Sequence, residues 1–358
     1  MQPRVSRPLL AAWIAVITAL LIGSTACGGG GSDASSPPSS IAAEGLPRAN
    51  TATTTRGTIA SPSFKGSAGA GSGRDVGADG TEPAGEQGGD GPAPAPAEDV
   101  AGRAVVDLPD DSGDAQIKVM YVLPADAADR RLDLDGTLAR SIASTQAWLG
   151  RQTGGPKLRY DTTNGQLDIG FLRISRTGAD MAATGLNLRD AIEAELVKAG
   201  FDKANKVYAV YYDGDSQGAC GGGAWPPKLP GKVAAQYLRG HAPPPAAPCG
   251  SQPIGGSTTV PAYLDIAALH EIFHTLGAVA ECAPNHTRAG HVAGDPNDFM
   301  YAGDQPWGSP ADLILDIGRD DYWGHGRTDC LDLARSAFVD PRPADAQMPP
   351  GWPAGNAG

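Results

Sequence analysis

The motif H-E-x-x-H at positions 270–274 constrains this chain more than any other feature, because it lies inside an apolar run, residues 263–279. On an α-helix, residues i and i+4 point about 40° apart around the axis, so His270 and His274 project from one face. Two neutral imidazoles at that spacing can hold a zinc ion, and the carboxylate of Glu271 can act as a general base toward water at the metal. The motif therefore predicts a buried helix that carries two zinc ligands and a catalytic base.

The flanking residues predict the limits of this helix. Pro261 lies near its start, where the missing N–H costs nothing. Gly277 follows His274 by three residues and can take the left-handed conformation that ends a helix. The chain can therefore turn just past His274 and bring a third ligand back to the metal. The apolar surface that such a buried helix requires is supplied by Ala267, Ala268, Leu269, Ile272, Phe273 and Leu276.

These residues resemble the metzincin clan of zinc endopeptidases, whose extended motif is H-E-x-x-H-x-x-G-x-x-H or D, followed later by a turn with a methionine beneath the metal. The first four fixed positions are matched by His270, Glu271, His274 and Gly277. Residues 298–301, with the sequence Asp-Phe-Met-Tyr, resemble the methionine turn. Ala280 stands at the position of the third ligand and cannot bind metal. The chain is therefore similar to a bacterial secreted group in which a longer loop displaces the third histidine.

The third ligand is sought between the helix and Met300. A catalytic zinc ion normally takes three protein ligands and leaves one position for water. Of the six histidines in the chain, His286 and His291 lie in this interval. We favour His291, because Gly290 gives it backbone freedom and the resemblance places the ligand close before the methionine turn; His286 is the alternative. The carboxylates of Asp295 and Asp298 can also bind zinc, but they are better explained as turn caps.

The resemblance also implies supporting roles for two residues of the turn. Met300 is expected beneath the metal, and Tyr301 beside it is expected to stabilise the oxyanion of the tetrahedral intermediate. Tyr322 fits the second role equally well.

The N-terminal residues predict export. Arg4 and Arg7 precede an apolar run, residues 9–23, too short to span a bilayer comfortably, and small residues follow. We interpret residues 1–26 as a lipoprotein-type signal peptide with Cys27 as the lipidated residue; ordinary secretion is the alternative. Residues 27–112 are rich in Gly, Ala, Ser and Pro and are predicted to form a disordered tether, because such a composition cannot bury enough surface to offset chain entropy.

Residues 113–340 are predicted to form one catalytic domain, and residues 341–358 a disordered tail. Strands are expected at 117–122, 157–160, 167–174 and 206–212, with a more exposed strand at 231–237. Helices are expected at 136–152 and 188–199, and near 331–338. This order predicts an α/β (α+β) fold, in which helices, including the H-E-x-x-H helix, cover a mixed twisted sheet. The resemblance implies the same layout.

The cysteines also point to an exported protein. Five cysteines become four when Cys27 is set aside, an even count that favours disulfides in an oxidising compartment. Of the three possible pairings we prefer Cys220–Cys249, which closes the loop after the central strand, and Cys282–Cys330, which ties the ligand loop to the C-terminal segment. Zinc ligation by cysteine is disfavoured because the chain has no C-x-x-C motif.

Charge limits the partners. The formal net charge is −12, and no Lys/Arg cluster could track a phosphate backbone, so we expect no nucleic-acid partner. Asp316, Asp320 and Asp321 could bind calcium, but they lack an ordered loop spacing and are better explained as solvated or capping residues. We expect a monomer that acts on protein or peptide substrates and contacts the membrane through the lipid on Cys27.

The sequence thus predicts an extracytoplasmic zinc endopeptidase that hydrolyses peptide bonds with metal-activated water and Glu271 as general base. Two alternatives stay open. One is a non-catalytic surface-binding module that retains the zinc site. The other is a zinc amidase or peptidase that acts on cell-wall peptides.

Overall fold

The computed structural model describes residues 100–241, 248–303, 305 and 307–352. The helices are α1 (Thr137–Thr153), α2 (Gly178–Ala182), α3 (Leu188–Lys198) and α4 (Tyr263–Thr275). The longer strands are β1 (Gln116–Leu123), β5 (Ile169–Arg173), β6 (Lys206–Tyr212), β7 (Gly221–Trp225) and β8 (Leu229–Tyr237). Two-residue strands complete the set: β2 (Lys157–Leu158), β3 (Thr162–Thr163), β4 (Gln166–Leu167) and β9 (Val339–Asp340).

A five-stranded mixed sheet organises the fold, with the strand order β5-β1-β6-β8-β7. β1 pairs in parallel with β5 and β6, and β6 pairs in parallel with β8. Parallel strands need crossover connections: the chain passes through α1 between β1 and β5, through α3 between β5 and β6, and through β7 between β6 and β8. β7 runs antiparallel to β8 and forms one edge of the sheet. The predicted mixed α/β sheet is confirmed.

Different helices cover the two faces of the sheet. Along β1, Val119 and Tyr121 belong to the core shared with α1 and α4, whereas Met120 and Val122 belong to the core shared with α3. This alternation follows from the two-residue period of a strand. Helix α4 packs on β7 and β8, where the Thr275 hydroxyl donates to the Val233 carbonyl at 3.3 Å. The H-E-x-x-H segment therefore lies under the edge of the sheet.

The strands predicted at 157–160 and 167–174 are present but shorter, as β2 and β5, and three further elements differ from the sequence prediction. The strand at 231–237 is buried rather than exposed, because β8 lies between β6 and β7. The helix predicted near 331–338 is only a 3-10 turn, Leu333–Arg335, because the Asp332 side chain accepts the Ala334 N–H and fixes a local turn. Strand β7 was not predicted at all.

Part of the segment assigned to the tether packs on the domain. Arg103 forms ion pairs with Asp129 and Asp133, and its guanidinium lies 4.0 Å from the centre of the Phe171 ring. Asp107 accepts from the buried Lys206 at 2.8 Å. The described residues 100–112 therefore belong to the domain. The predicted signal peptide, Cys27 and the rest of the tether lie outside the described residues.

Part of the predicted tail also contacts the domain. Trp352 packs on Phe338 with ring centroids 5.4 Å apart, and Arg342 pairs with Asp114 at 2.6 Å. The described residues 341–352 are thus ordered against the same body. Among the described residues, no helix is both long enough and apolar enough to cross a bilayer.

Two disulfides connect the loops around the sheet edge. Cys220 bonds to Cys249, and Cys282 bonds to Cys330, which is the pairing preferred from the sequence. Disulfides persist in oxidising compartments, so these two bonds indicate an extracytoplasmic location.

Candidate metal centre

Helix α4 is fixed at both ends by side chains and backbone that the sequence supplies locally. At its start, the buried Asp265 carboxylate accepts N–H groups from Gly255, Gly256 and Ala262 at 2.8–2.9 Å, so it caps the first turn. At its end, Gly277 has φ +90°, the left-handed conformation predicted for this glycine. The chain therefore leaves the helix sharply, just after His274.

Three histidines meet beyond this turn. The Nε2 atom of His274 lies 3.0 Å from that of His270 and 3.0 Å from that of His291, and the third side of the triangle measures 3.3 Å. All three side chains are buried. These residues form a group that could hold a metal ion. The favoured candidate His291, and not His286, joins the pair on the helix.

Hydrogen bonds at Nδ1 of His270 and His291 determine which nitrogen of each ring carries the proton. His270 Nδ1 lies 2.8 Å from the Phe299 carbonyl, and His291 Nδ1 lies 3.3 Å from the Arg288 carbonyl. A carbonyl only accepts, so both Nδ1 atoms carry the proton and both Nε2 atoms present a lone pair. Among the described residues, His274 Nδ1 has no hydrogen-bond partner.

Burial keeps the three rings neutral. It lowers the pKa of His270 to about 4 and that of His291 to about 3. Burial and the two neighbouring rings hold the pKa of His274 well below its usual value. Neutral imidazole is the form that binds metal, so the rings are ready to ligate near neutral pH.

The spacing of the rings fits a tetrahedral ion. Nitrogen ligands 2.0–2.1 Å from one tetrahedral zinc ion lie about 3.3 Å apart, close to the measured separations. Lone pairs that face one another at 3.3 Å between His270 and His291 repel unless a cation lies between them. The donor set and its geometry therefore fit a metal ion.

The other histidines have separate roles. His286 donates from Nδ1 to the Val279 carbonyl at 2.9 Å and stacks on Trp225. His241 is on the surface beside Asp215. The His325 side chain is buried and its Nε2 atom lies 3.0 Å from the Leu331 carbonyl, within its own loop.

The carboxyl group of Glu271 lies between α4 and the edge strand. A Cβ atom on Gly221 would overlap Glu271 Oε1, and a Cβ atom on Gly223 would come within 2.6 Å of the Glu271 carbonyl and 2.8 Å of His274 Cβ. The buried glutamate therefore fits only because β7 has no side chain on this face.

The turn at 298–301 packs against the three-histidine group. The Asp298 carboxylate accepts the N–H of Met300 at 2.8 Å, and the Phe299 carbonyl and ring contact His270. Met300 is completely buried, and its carbonyl accepts the N–H of Val292, next to His291. The turn therefore contacts the chain at His270 and next to His291, two of the three histidines.

The carboxylates considered as alternative ligands serve as caps. Asp295 accepts the N–H of Asn297 at 2.8 Å. Asp298 accepts from Met300, Ile317 and the Tyr322 hydroxyl. Burial raises the pKa of Asp298 to about 7, and these three donors oppose that shift.

The two tyrosines proposed for oxyanion stabilisation have hydroxyl groups that bond within the protein. Tyr301 is buried, and its hydroxyl accepts the N–H of Gln305 at 3.1 Å. The Tyr322 hydroxyl accepts the N–H of Asp316 at 2.7 Å and donates to Asp298 at 3.0 Å. Burial holds the pKa of Tyr322 well above its usual value, so this hydroxyl keeps its proton. Tyr322 thus acts as a structural link.

Several residues at the site were not identified from the sequence. Trp307 contacts the ring of His270 with centroids 5.3 Å apart and donates to the Asp298 carbonyl at 3.0 Å. Trp225 lies against the loop that carries His291. Isolated tryptophans in a loop and at a strand end give no sequence signal of this kind, because their contacts come from distant parts of the chain.

The carboxylates of the two acidic clusters bind backbone N–H groups or lysine side chains of the protein itself. The Asp316 carboxylate accepts backbone N–H groups from four residues of its own loop, in line with the capping role preferred from the sequence: Asp320, Asp321, Tyr322 and Trp323. A second group, Asp107, Asp161 and Asp168, surrounds the buried ammonium groups of Lys118 and Lys206.

Comparison of the sequence with protein-family models gives no match, and comparison with curated proteins gives none. The site is therefore defined by its geometry as a buried three-histidine centre at the sheet edge of a mixed α/β domain.

Proposed function

We propose that this protein is an extracytoplasmic, metzincin-like zinc endopeptidase whose metal ion is held by His270, His274 and His291. The observation that carries the proposal is the convergence of three neutral, buried Nε2 atoms at tetrahedral spacing, on the helix that also carries Glu271. Zinc, when bound, lowers the pKa of water and polarises the carbonyl group of an amide.

Glu271 is the proton carrier in this proposal. Hydrolysis forms a C–O bond, breaks the C–N bond and moves one proton from water to the leaving amine. The Glu271 carboxylate accepts that proton and then delivers it to the amine nitrogen. The carboxyl is buried between α4 and β7, which excludes bulk water from the transfer.

The position of the edge strand β7 favours a peptide as the substrate. β7 is the outer strand of the sheet and runs beside Glu271. An extended chain adds to a sheet edge through backbone hydrogen bonds, and the glycines at 221–223 let it come close. Trp307 and Tyr263, whose rings meet edge to face 5.8 Å apart beside His270, supply an apolar wall for a side chain of the substrate.

Met300 and Tyr301 have supporting roles in the proposal. Met300 fills the space under the ligands, and the backbone of the turn orients His270 and the strand next to His291. The Tyr301 hydroxyl accepts the N–H of Gln305 and keeps its own proton for donation, so in this proposal Tyr301 supports the turn and stays the candidate donor to the oxyanion.

The decisive experiment uses the purified full-length protein, its metal content and casein as substrate. We expect one zinc ion per chain, and casein cleavage that a chelator abolishes and added zinc restores. The variant Glu271→Gln should retain zinc while its turnover falls by about 10²–10⁴-fold. A protein that is isolated without metal and refuses zinc contradicts the proposal, as does Glu271→Gln cleavage at the parent rate.

The same preparation separates the alternatives. Zinc-dependent cleavage of purified cell-wall fragments, with intact casein, would identify a wall-peptide amidase or peptidase. Stoichiometric zinc with neither substrate cleaved would identify a binding module.

The membrane anchor is part of the proposal and has its own test. We propose that Cys27 is lipidated after removal of residues 1–26. Cells fed a fatty-acid probe should label the parent protein and not the variant Cys27→Ala; equal labelling would leave ordinary secretion as the explanation.

A further inference from the structure

A strained residue lies in the loop that connects α4 to His291. Val279 is completely buried and has φ +49°. This left-handed region is a genuine outlier for a β-branched residue, so the surrounding structure must hold it there.

Two side chains hold the peptide groups on either side of Val279. The Trp225 Nε1–H donates to the Ala278 carbonyl at 2.9 Å, and the His286 Nδ1–H donates to the Val279 carbonyl at 2.9 Å. The two donor rings stack on each other, with centroids 5.4 Å apart and planes only 9° from parallel. Each ring therefore fixes the other as well as its own carbonyl.

The same two residues also contact the chain around His291, His286 through its backbone and Trp225 through its ring. His286 pairs with Val292 across a short antiparallel hairpin, and the N–H and hydroxyl of Thr287 donate to the His291 carbonyl at 2.7 and 2.9 Å. Trp225 lies against Gly290, where a Cβ atom would come within 2.7 Å of the indole Cδ1. Both ends of the hairpin are thus held to the edge strand.

We propose that Trp225 and His286 form an aromatic clamp that positions His291 for the metal. The clamp fixes the left-handed turn at Val279 and the hairpin that follows it. Both residues are positioning residues, because neither belongs to the three-ring group. This inference rests on the proposed function, since it assigns the clamp to the metal centre.

The clamp gives His286 a role other than metal ligation. Its Nδ1–H is used by Val279, and its ring face is used by Trp225. A phenylalanine in its place would keep the stacking and lose the donor, whereas an alanine would lose both.

The test measures Zn²⁺ affinity by chelator competition and the visible spectrum of the Co²⁺-loaded full-length protein. Loss of a group that orients a ligand typically costs about 10–100-fold in metal affinity. We expect a loss of that size for His286→Ala and Trp225→Ala, with a changed Co²⁺ spectrum because His291 no longer ligates. His286→Phe should lose less affinity than His286→Ala. The matched control is His241→Ala, which removes a surface histidine and should leave affinity and spectrum unchanged.

The variant Val279→Gly isolates the mechanism, because glycine adopts the left-handed turn without being held. In this background, the added change His286→Ala should reduce zinc affinity by clearly less than it does in the parent. The double-mutant cycle measures this coupling directly. If His286→Ala does not fold, His286→Phe carries the test instead, measured in the parent and in the Val279→Gly background.

The outcomes separate this inference from the proposed function. A parent protein that binds no metal overturns both. A parent protein that binds zinc, with unchanged affinity and unchanged Co²⁺ spectra in the clamp variants, overturns the clamp alone.

Discussion

The Nε2 atoms of His274 and His291 lie 3.0 Å apart, although the two histidines are seventeen positions apart in the chain. The helix presents His274, and the hairpin after α4 returns His291 to it. All three rings of this group are buried, so the packing of the protein around them fixes their mutual arrangement.

Replacing His291 should remove the metal. The variant His291→Ala leaves only two of three ligands, and we expect zinc affinity to fall by more than about 100-fold, the upper end of the effect of outer partners. Metal analysis after gel filtration measures this. His241→Ala is the control, and stoichiometric zinc in His291→Ala would exclude His291 as a ligand.

Acid should destabilise the metal-free protein through the three buried rings. A histidine has a pKa near 6.5 in the unfolded chain, whereas burial lowers it to about 4 in His270 and about 3 in His291. Between about pH 6.5 and pH 4 the unfolded chain therefore binds more protons, and the free energy of unfolding falls as pH falls. Each ring should contribute about 1 kcal/mol per pH unit.

The measurement is denaturant unfolding of chelator-treated protein across this range. Asp298, with its pKa raised to about 7, acts in the opposite direction, so the useful quantity is a difference between variants. The slope of His291→Leu should be smaller than that of the parent by about one proton. Identical slopes would contradict neutral burial of His291.

The two disulfides should differ in their effect on the metal. Their separations of 29 and 48 residues correspond to about 4 kcal/mol of stability each in the chain-entropy account. Replacing Cys282 and Cys330 by serine should also weaken zinc binding, because this bridge anchors the loop that leads to His291. Replacing Cys220 and Cys249 should lower the melting temperature similarly and change zinc affinity less. Equal effects on affinity would mean that neither bridge serves the loop specifically.

The Tyr322 hydroxyl should contribute stability through its two hydrogen bonds. Tyr322→Phe leaves the buried N–H of Asp316 without its acceptor, which costs about 1–3 kcal/mol. Thermal unfolding checks this. The control is Tyr212→Phe: the Tyr212 hydroxyl is also buried but has no hydrogen-bond partner among the described residues, so its loss should be neutral or stabilising. Equal destabilisation by the two changes would argue against the link.

A methyl group on Gly221 should impair catalysis without releasing metal. Its Cβ would overlap Glu271 Oε1 and push the carboxyl aside, and a displacement of this order can cost about 10²-fold in rate. Peptide turnover and zinc content measured together check this. Gly222→Ala is the matched control, because its Cβ points to the opposite face of the sheet, 2.8 Å from the Tyr237 hydroxyl. If both variants turn over at the parent rate, Gly221 has no part in holding Glu271.

The elements with strong local patterns could be predicted from the sequence. Helix α4 follows from its apolar run and from Gly277, and β6 was predicted with its observed bounds because valine, tyrosine and alanine fill every position after Lys206. Strand β7 was missed because Gly221, Gly222 and Gly223 have low strand propensity, and only pairing with β8 makes them a strand.

Tertiary contacts decided the remaining differences. The strand at 231–237 was expected to be more exposed, yet even Lys232 within it is buried and pairs with Asp202. The limit of the domain was placed after Arg103 and Asp107, whose partners are far away in the chain. Sequence left His286 and His291 both open as third ligands. Only the folded hairpin distinguishes the two, because it turns the His286 ring toward Trp225 and the His291 ring toward His274.

The Tyr322 hydroxyl joins the turn at Asp298, which lies against the histidines, to the loop that begins at Asp316. Consequently the smallest autonomous version of this centre cannot stop at the turn around Met300. Any attempt to miniaturise or graft it must carry the chain through Tyr322 at least, or supply a substitute hydroxyl at the same place.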